Sequence, residues 1–176
     1  MRYREIYDEY NSWLLKKSDC SEKLLLLKDG YISTKTISGK KYSYFQKKAD
    51  GKLHSEYIKE EMLPEIKSGL QKRAEIKKTI KTADAELNRL ETAAKTLDKS
   101  LYHKFIILKR CSVMDSMPLG MRKKSLEFGN AMTALEGIPA SDDSEKNLSL
   151  WTAGQHSFKD GYLQTLQKYN LIEDMI

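Results

Sequence analysis

The sequence predicts a predominantly helical α+β protein, and three features of its 176 residues carry that prediction. Apolar residues recur at alternating intervals of four and three from Ile76 to Leu101, which is the heptad pattern of a coiled coil. Three short segments rich in β-branched and aromatic residues lie between residues 31 and 58 and predict a three-stranded β-meander. After Pro118, three amphipathic segments bounded by capping and stop residues predict a C-terminal three-helix domain.

The composition argues against a membrane-spanning protein. Charged residues make up 32% of the chain, and the aliphatic block Leu24–Leu27 is far shorter than the ~18 apolar residues that a span needs. Met1 is followed by an amphipathic pattern, so we expect no targeting signal, a cytoplasmic location and no membrane partner. Cys20 and Cys111 lack metal-type spacing to any histidine, so we expect reduced thiols, no metal site and no cofactor.

We expect three parts along the chain. A helix with a basic β-meander occupies residues 1–63, a coiled-coil helical segment residues 64–116, and the three-helix domain residues 117–176. Residues 1–110 carry 25 Lys and Arg against 16 Asp and Glu, whereas residues 111–176 carry 6 against 9. This asymmetry indicates two surfaces with different partners.

The first part begins with an aromatic stripe at helical spacing, which predicts an amphipathic helix from Met1 to about Lys16. Ser18, Asp19 and Ser21 then predict a turn and the cap of a short second helix at Leu24–Leu27. Turn sequences at residues 29–30, 38–39 and 50–51 mark the ends of the predicted strands. The predicted strands are Tyr31–Ile37, Tyr42–Gln46 and Leu53–Ile58.

The predicted sheet is both basic and aromatic, since residues 28–59 carry eight lysines against three acidic residues, with aromatic side chains interleaved. Lysines on phosphates and rings against bases would make it a site for DNA or RNA. Alternatively, the aromatic side chains face the helices and the lysines protect the sheet edges. The candidate nucleic-acid contacts are Lys35, Lys40, Lys41, Tyr42, Tyr44, Lys47, Lys48 and Lys52. The stretch from Gly30 to Ile66 also resembles a small bacterial module of unassigned function.

The coiled-coil seam consists of Ile76, Ile80, Ala83, Leu87, Leu90, Ala94, Leu97 and Leu101. Pro64 suits the first position of this helix. After Ser100 the chain either continues the helix to about Lys109 or folds back, and we expect an antiparallel hairpin. The three C-terminal helices are predicted at about Arg122–Leu135, Asp142–Thr152 and Phe158–Asn170. Their stop and capping residues are Gly137, Pro139, Ser141, Gly154 and Ser157.

No enzyme signature is present in the sequence. There is no Gly-rich phosphate loop, no serine nucleophile elbow and no Fic-type catalytic loop with its His, Asn and Arg. Acidic pairs such as Glu60-Glu61 and Asp142-Asp143 are typical of solvated turns and helix starts. We therefore expect a protein without catalytic residues.

One stretch of the C-terminal part resembles a known family. The residues that carry the likeness are Asn130-Ala131-Met132-Thr133-Ala134-Leu135-Glu136-Gly137-Ile138-Pro139-Ala140-Ser141, followed by Leu148, Trp151, Gly154, Ser157 and Gly161. They resemble antitoxins of Fic-domain toxins over about Lys123 to Leu171. The inhibitory helix of that small helical family carries Ser or Thr, three residues of any kind, then Glu and Gly or Asn.

The resemblance implies a specific inhibitory mechanism. Fic enzymes transfer AMP from ATP to a target hydroxyl, and the family's glutamate pairs with the enzyme arginine that would hold the γ-phosphate. Glu136 and Gly137 match that motif, while Met132 occupies the Ser or Thr position and Thr133 offers the nearest hydroxyl. The implied partner-binding residues are Leu135, Ile138, Leu148 and Trp151. The alternatives are a nucleic-acid-binding accessory protein that uses the sheet of residues 31–58 and a coiled-coil scaffold without a specific ligand.

Overall fold

A computed structural model describes residues 3–137 and 141–168. Over these residues the chain is a predominantly helical α+β protein with six α-helices and one three-stranded antiparallel sheet of order β1-β2-β3. The helices are α1 (Arg4–Leu25), α2 (Leu63–Leu97), α3 (Lys99–Asp115), α4 (Leu119–Leu135), α5 (Asp142–Thr152) and α6 (Phe158–Lys168), and the strands are β1 (Tyr31–Ile37), β2 (Lys40–Ala49) and β3 (Lys52–Ile58). The predicted fold class is confirmed.

The chain forms two compact units. One unit is Asp19–Ala85, and the segments before and after it form the other. The boundaries therefore fall within α1 and α2, whereas the division predicted at residues 63 and 116 follows changes of composition and stays a prediction. None of the helices in the described ranges combines the length and the apolar character that crossing a bilayer requires.

The first helix is longer than predicted. The expected turn at Ser18, Asp19 and Ser21, with a short second helix after it, is wrong, because α1 is continuous to Leu25. Asp19 accepts a hydrogen bond from Lys23 one turn later, at 2.6 Å, and such pairs stabilise a helix. The polar residues therefore lie on the surface of a helix and do not interrupt it.

The coiled-coil segment is two helices, as the hairpin prediction requires. Asp98 has extended backbone angles, φ −161° and ψ 119°, and its carboxylate accepts hydrogen bonds from the amides of Ser100 and Leu101. It is thus the N-cap of α3. Lys109 of α3 binds Glu91 of α2 at 2.8 Å, so α3 runs back along the end of α2. A single helix extending to Lys109 is excluded.

The core of the larger unit lies where α1, the end of α2 and α3 meet. Its buried residues are Tyr10, Leu14, Leu87, Leu90, Ala94, Leu101, Phe105 and Leu108. The rings of Tyr10 and Phe105 stack with centroids 3.9 Å apart. The Tyr10 hydroxyl donates to Glu91, which also accepts a hydrogen bond from Lys109, so this buried hydroxyl has its partner. Burial and this hydrogen bond raise the pKa of Tyr10 above its ordinary value.

Three short helices complete this unit. Pro118 precedes α4, Ser141 caps α5 and Ser157 accepts a hydrogen bond from the amide of Asp160 at the start of α6. Gly137 after α4 and Gly154 after α5 have positive φ, which L side chains rarely adopt. The predicted helix order, caps and stops are confirmed for the described residues, while Pro139 and the predicted end of the last helix at Asn170 lie outside them.

The smaller unit holds the sheet. The turns at Ser38-Gly39 and Asp50-Gly51 have positive φ at each residue, as tight hairpin turns require. Phe45 and Ile58 are buried, and Phe45 lines a cavity with Leu27 and with Ile66 of α2. β2 extends three residues beyond the predicted strand at its end, because its pairing with β3 continues to the turn.

We predict that Asp98→Ala lowers the free energy of unfolding by about 1 kcal/mol, because the amides of Ser100 and Leu101 lose their acceptor. Asp98→Asn should retain most of the stability, since an amide oxygen caps equally well. Urea unfolding of the full chain measures both.

The matched control is Ser100→Ala, whose hydroxyl is exposed and at the same helix start. It should change stability by less than ~0.5 kcal/mol. Equal losses for Asp98→Ala and Ser100→Ala would contradict the capping role of Asp98.

Candidate functional site

The helix that carries the predicted inhibitory residues is anchored at its first turn. Arg122 of α4 donates to the backbone carbonyls of Met117, Trp151 and Asp115 at 2.9, 2.9 and 2.7 Å. Its guanidinium carbon also lies 5.3 Å from the centroid of the Trp151 ring. These charge-assisted bonds hold the start of α4 against the end of α5.

Among the described residues, the second half of α4 makes no such contacts. From Glu127 to Gly137 every residue is exposed except Thr133, which is half-buried. Three of the exposed residues are large and apolar: Phe128 is 70% exposed, Met132 43% and Leu135 83%. Because they recur at intervals of four and three, they lie on one side of the helix. We call Phe128, Met132 and Leu135 the α4 stripe.

Glu136 lies directly after this stripe. It is the C-cap of α4, its amide donates to the carbonyls of Met132 and Ala134, and its side chain is exposed. Gly137 follows with φ +70° and has open space around the position a Cβ would take. Because Glu136 is four residues after Met132, its carboxylate lies on the same side of the helix as the stripe.

The hydroxyl of Thr133 already has hydrogen-bond partners within its own helix. Its side chain donates to the backbone carbonyls of Gly129 and Asn130, at 3.2 and 3.1 Å. Threonine in a helix commonly bonds to the preceding turn in this way. The structure therefore brings Thr133, Glu136 and Gly137 together at one helix end, with the hydroxyl turned to its own backbone.

Of the four predicted partner-binding residues, the three in the described ranges do not form one surface. Leu135 is on the exposed end of α4, and Ile138 lies outside the described residues. Leu148 is half-buried and Trp151 is only 1% exposed. The Trp151 ring packs edge-on against Phe158, with centroids 5.3 Å apart. In this conformation Trp151 is thus part of the fold rather than a presented anchor.

The strand register divides the sheet into two chemically different faces. Opposite residues of an antiparallel pair lie on the same face and successive residues alternate. One face, which we call the tyrosine face, carries four tyrosines and three lysines and no acidic side chain. Its members are Tyr31, Ser33, Lys35, Ile37, Lys40, Tyr42, Tyr44, Gln46, Lys48, Leu53, Ser55 and Tyr57.

Rings and lysines on the tyrosine face contact one another across the strands. The Tyr57 ring lies 5.8 Å from Tyr44 and 6.1 Å from Tyr42, at tilted or edge-on angles. The Lys35 ammonium lies 5.1 Å from the centroid of the Tyr44 ring, within cation–π range. Tyr31 and Tyr57 are 51% and 53% exposed.

The predicted nucleic-acid contacts are therefore split between the faces. Lys35, Lys40, Tyr42, Tyr44 and Lys48 share the tyrosine face. The opposite face contains the other three predicted lysines together with the buried Phe45 and Ile58, and those lysines are Lys41, Lys47 and Lys52. The sequence analysis did not include Tyr31 and Tyr57 among the predicted contacts. The strand pairing places both on the same face as Tyr42 and Tyr44.

The described residues 3–137 and 141–168 contain no group of three or more His, Cys, Asp and Glu that could hold a metal ion. Cys111 is buried in the helical unit, and burial together with the nearby Asp115 raises the pKa of its thiol to about 11. Its sulfur therefore stays neutral at pH 7 and packs as a small apolar group.

Residues 3–68 match a family described as a domain of unknown function, DUF6788. This range contains α1, the whole sheet and the start of α2, and it is less than half of the chain. No curated protein and no solved structure matches the chain. The tyrosine face thus lies inside the matched module, whereas the α4 stripe and Glu136 lie outside it.

We predict that Arg122→Lys lowers the free energy of unfolding by about 2 kcal/mol, because an ammonium cannot reach all three carbonyls and charge-assisted bonds contribute about 1.5–3 kcal/mol each. Thermal unfolding followed by tryptophan fluorescence reports the change beside Trp151. The exposed neighbour Lys123→Ala should leave stability within ~0.5 kcal/mol. Similar losses for the two variants would show that Arg122 does not anchor α4.

Proposed function

We propose that this chain inhibits a Fic-type AMP transferase by docking α4 on the enzyme and placing Glu136 in its ATP site. The observation that carries the proposal is an exposed apolar helix face that ends at an exposed carboxylate. The resemblance of residues 123–171 to antitoxins of Fic-domain toxins supplies the partner class. The geometry supplies the docking helix.

The α4 stripe supports a protein partner. Amphipathic helices that bind in apolar grooves present anchors at intervals of three, four and seven residues, and Phe128, Met132 and Leu135 have this spacing. Solvent is an unfavourable environment for such a face, since burying a large apolar side chain is worth about 1.5–3 kcal/mol. A groove on the enzyme would cover these side chains.

Glu136 supports the obstruction step. A carboxylate at a helix C-terminus opposes the helix dipole by about 0.3–1 kcal/mol, so its position disfavours α4 in isolation. Paired with an arginine of the enzyme it would form a bidentate, charge-assisted contact. That arginine could then not hold the γ-phosphate of ATP, and the α-phosphate would be misplaced for attack by the target hydroxyl.

The remaining residues of the predicted site take supporting roles in this proposal. Thr133 keeps its hydroxyl on the carbonyls of its own helix, so the hydroxyl is not directed at the partner. Trp151 holds the base of α4 through Arg122, and Leu148 lines the same part of the fold. Docking is therefore assigned to the α4 stripe, with Leu135 as the one predicted anchor that is presented on it.

We predict that Glu136→Ala releases AMP transfer without dissociating the complex. The variant should still co-purify with a Fic enzyme encoded beside this chain, because the apolar anchors remain. Freed of the carboxylate, the enzyme arginine can hold the γ-phosphate again, so transfer from labelled ATP to the target should rise by at least tenfold. The measurement is label incorporation by the purified complex.

Glu127→Ala is the matched control, because it removes an exposed carboxylate from the same helix without touching its end. It should leave inhibition intact. A second variant, Phe128→Ser with Leu135→Ser, should instead abolish co-purification. Absence of transfer by the Glu136→Ala complex, with ATP and target present, would contradict the obstruction role even where the two proteins bind.

A further inference from the structure

We infer that the tyrosine face of the sheet binds single-stranded nucleic acid, with lysines on the phosphates and tyrosine rings against the bases. This inference goes beyond the inhibitor proposal, since it concerns other residues in the other compact unit. It rests on three observations: the charge of the face, the exposure of its rings, and the contrast with the opposite face.

The charge of the tyrosine face is complementary to a polynucleotide backbone. Lys35, Lys40 and Lys48 are on it, and its strand residues include no carboxylate. Lys40 and Lys48 are near the two ends of β2, about 27 Å apart at ~3.4 Å per residue. Tyr42 and Tyr44 lie on the strand between them. The face therefore alternates from cation to rings to cation along its length.

Two of the four rings, those of Tyr31 and Tyr57, are exposed and available to a ligand, while Tyr42 and Tyr44 are half-buried. Antiparallel sheets with one buried face usually turn polar side chains to solvent on the other. Here the buried side is the face of Phe45 and Ile58, yet the open side carries tyrosines and Leu53, which is 58% exposed. Cross-strand ring pairs stabilise a sheet, but Tyr31 has no ring partner among the described residues and is half exposed. Stacking on a nucleic-acid base accounts for the exposed ring of Tyr31.

The chemistry of the face favours single strands over duplexes. Bases can stack on protein rings only when they are unstacked from each other, and each such contact is tolerant of sequence. A duplex groove is read through hydrogen bonds to base edges, chiefly from Arg or Lys to guanine and from Asn or Gln to adenine. The face has no arginine or asparagine, and Gln46 is buried, with its amide 3.4 Å from the Ser55 hydroxyl. Its lysines and serines would have to make such contacts, and its tyrosine rings would take no part in them.

The test uses the full chain and labelled oligomers of oligo(dT) and oligo(rU) of about 12 nucleotides, a length within the site sizes of compact modules. Fluorescence anisotropy across a salt series measures Kd. We expect binding of at least one oligomer, and the tighter of the two identifies the strand chemistry. A dA·dT duplex of the same length should bind at least tenfold more weakly than that oligomer. No single-strand binding at ~50 mM salt, or equal binding of the duplex, would overturn the inference.

The two faces supply a matched control for the lysines. Changing Lys35, Lys40 and Lys48 to Gln should flatten the slope of log K against log salt by about 2, since single strands contribute ~0.7 per phosphate contact. Changing Lys41, Lys47 and Lys52 to Gln removes the same charge from the opposite face and should leave most of the slope. Equal flattening by both triples would show a diffuse charge effect and overturn the assignment to the tyrosine face.

Tyr31 tests stacking separately from charge. Tyr31→Ala should weaken single-strand binding about tenfold, and Tyr31→Phe should retain it, because the ring and not the hydroxyl makes the contact. Circular dichroism and melting temperature of both variants check that the sheet is intact. Unchanged affinity in Tyr31→Ala would overturn the stacking role. The outcome is independent of the AMP-transfer experiment, since no variant here touches α4.

Discussion

The carboxylate of Asp98 is the contact on which the helical unit depends. By accepting two backbone amides it starts α3 immediately after α2 ends, and α3 then runs back to bury Phe105 against Tyr10. The far end of α3 delivers Asp115, whose carboxylate accepts the amides of Phe158 and Lys159 at the start of α6. The turn at Asp98 thus starts the helix that brings Asp115 to the first amides of α6.

The elements that sequence alone predicted well are those with local, short-range signals. Gly39 and Gly51 mark hairpins because the backbone must take positive φ there, and Ser141 and Ser157 mark helix starts because their oxygens cap free amides. The failure at Asp19 has the same origin. A polar residue that can cap a helix can also sit on its surface, and only the salt bridge to Lys23 and tertiary packing decide which.

The sequence indicated which residues could form the candidate sites, but not which of them lie together on one surface. Lys41 and Lys40 are neighbours in sequence and lie on opposite faces of the sheet, so composition alone could not separate them. Trp151 has the character of an interface anchor, yet its ring packs against Phe158 at the start of α6 and lies under Arg122 of α4. Packing between helices decides the exposure of Trp151, and the sequence of α5 alone does not show it.

The exposed second half of α4 also has a consequence for how quickly this chain is degraded. A helical segment held only at its base opens locally at low free energy, and an opened segment is the form that proteases cut. Any protein that covers Phe128 and Leu135 would close this route by mass action. A bound partner would thereby slow the proteolysis of this chain at α4.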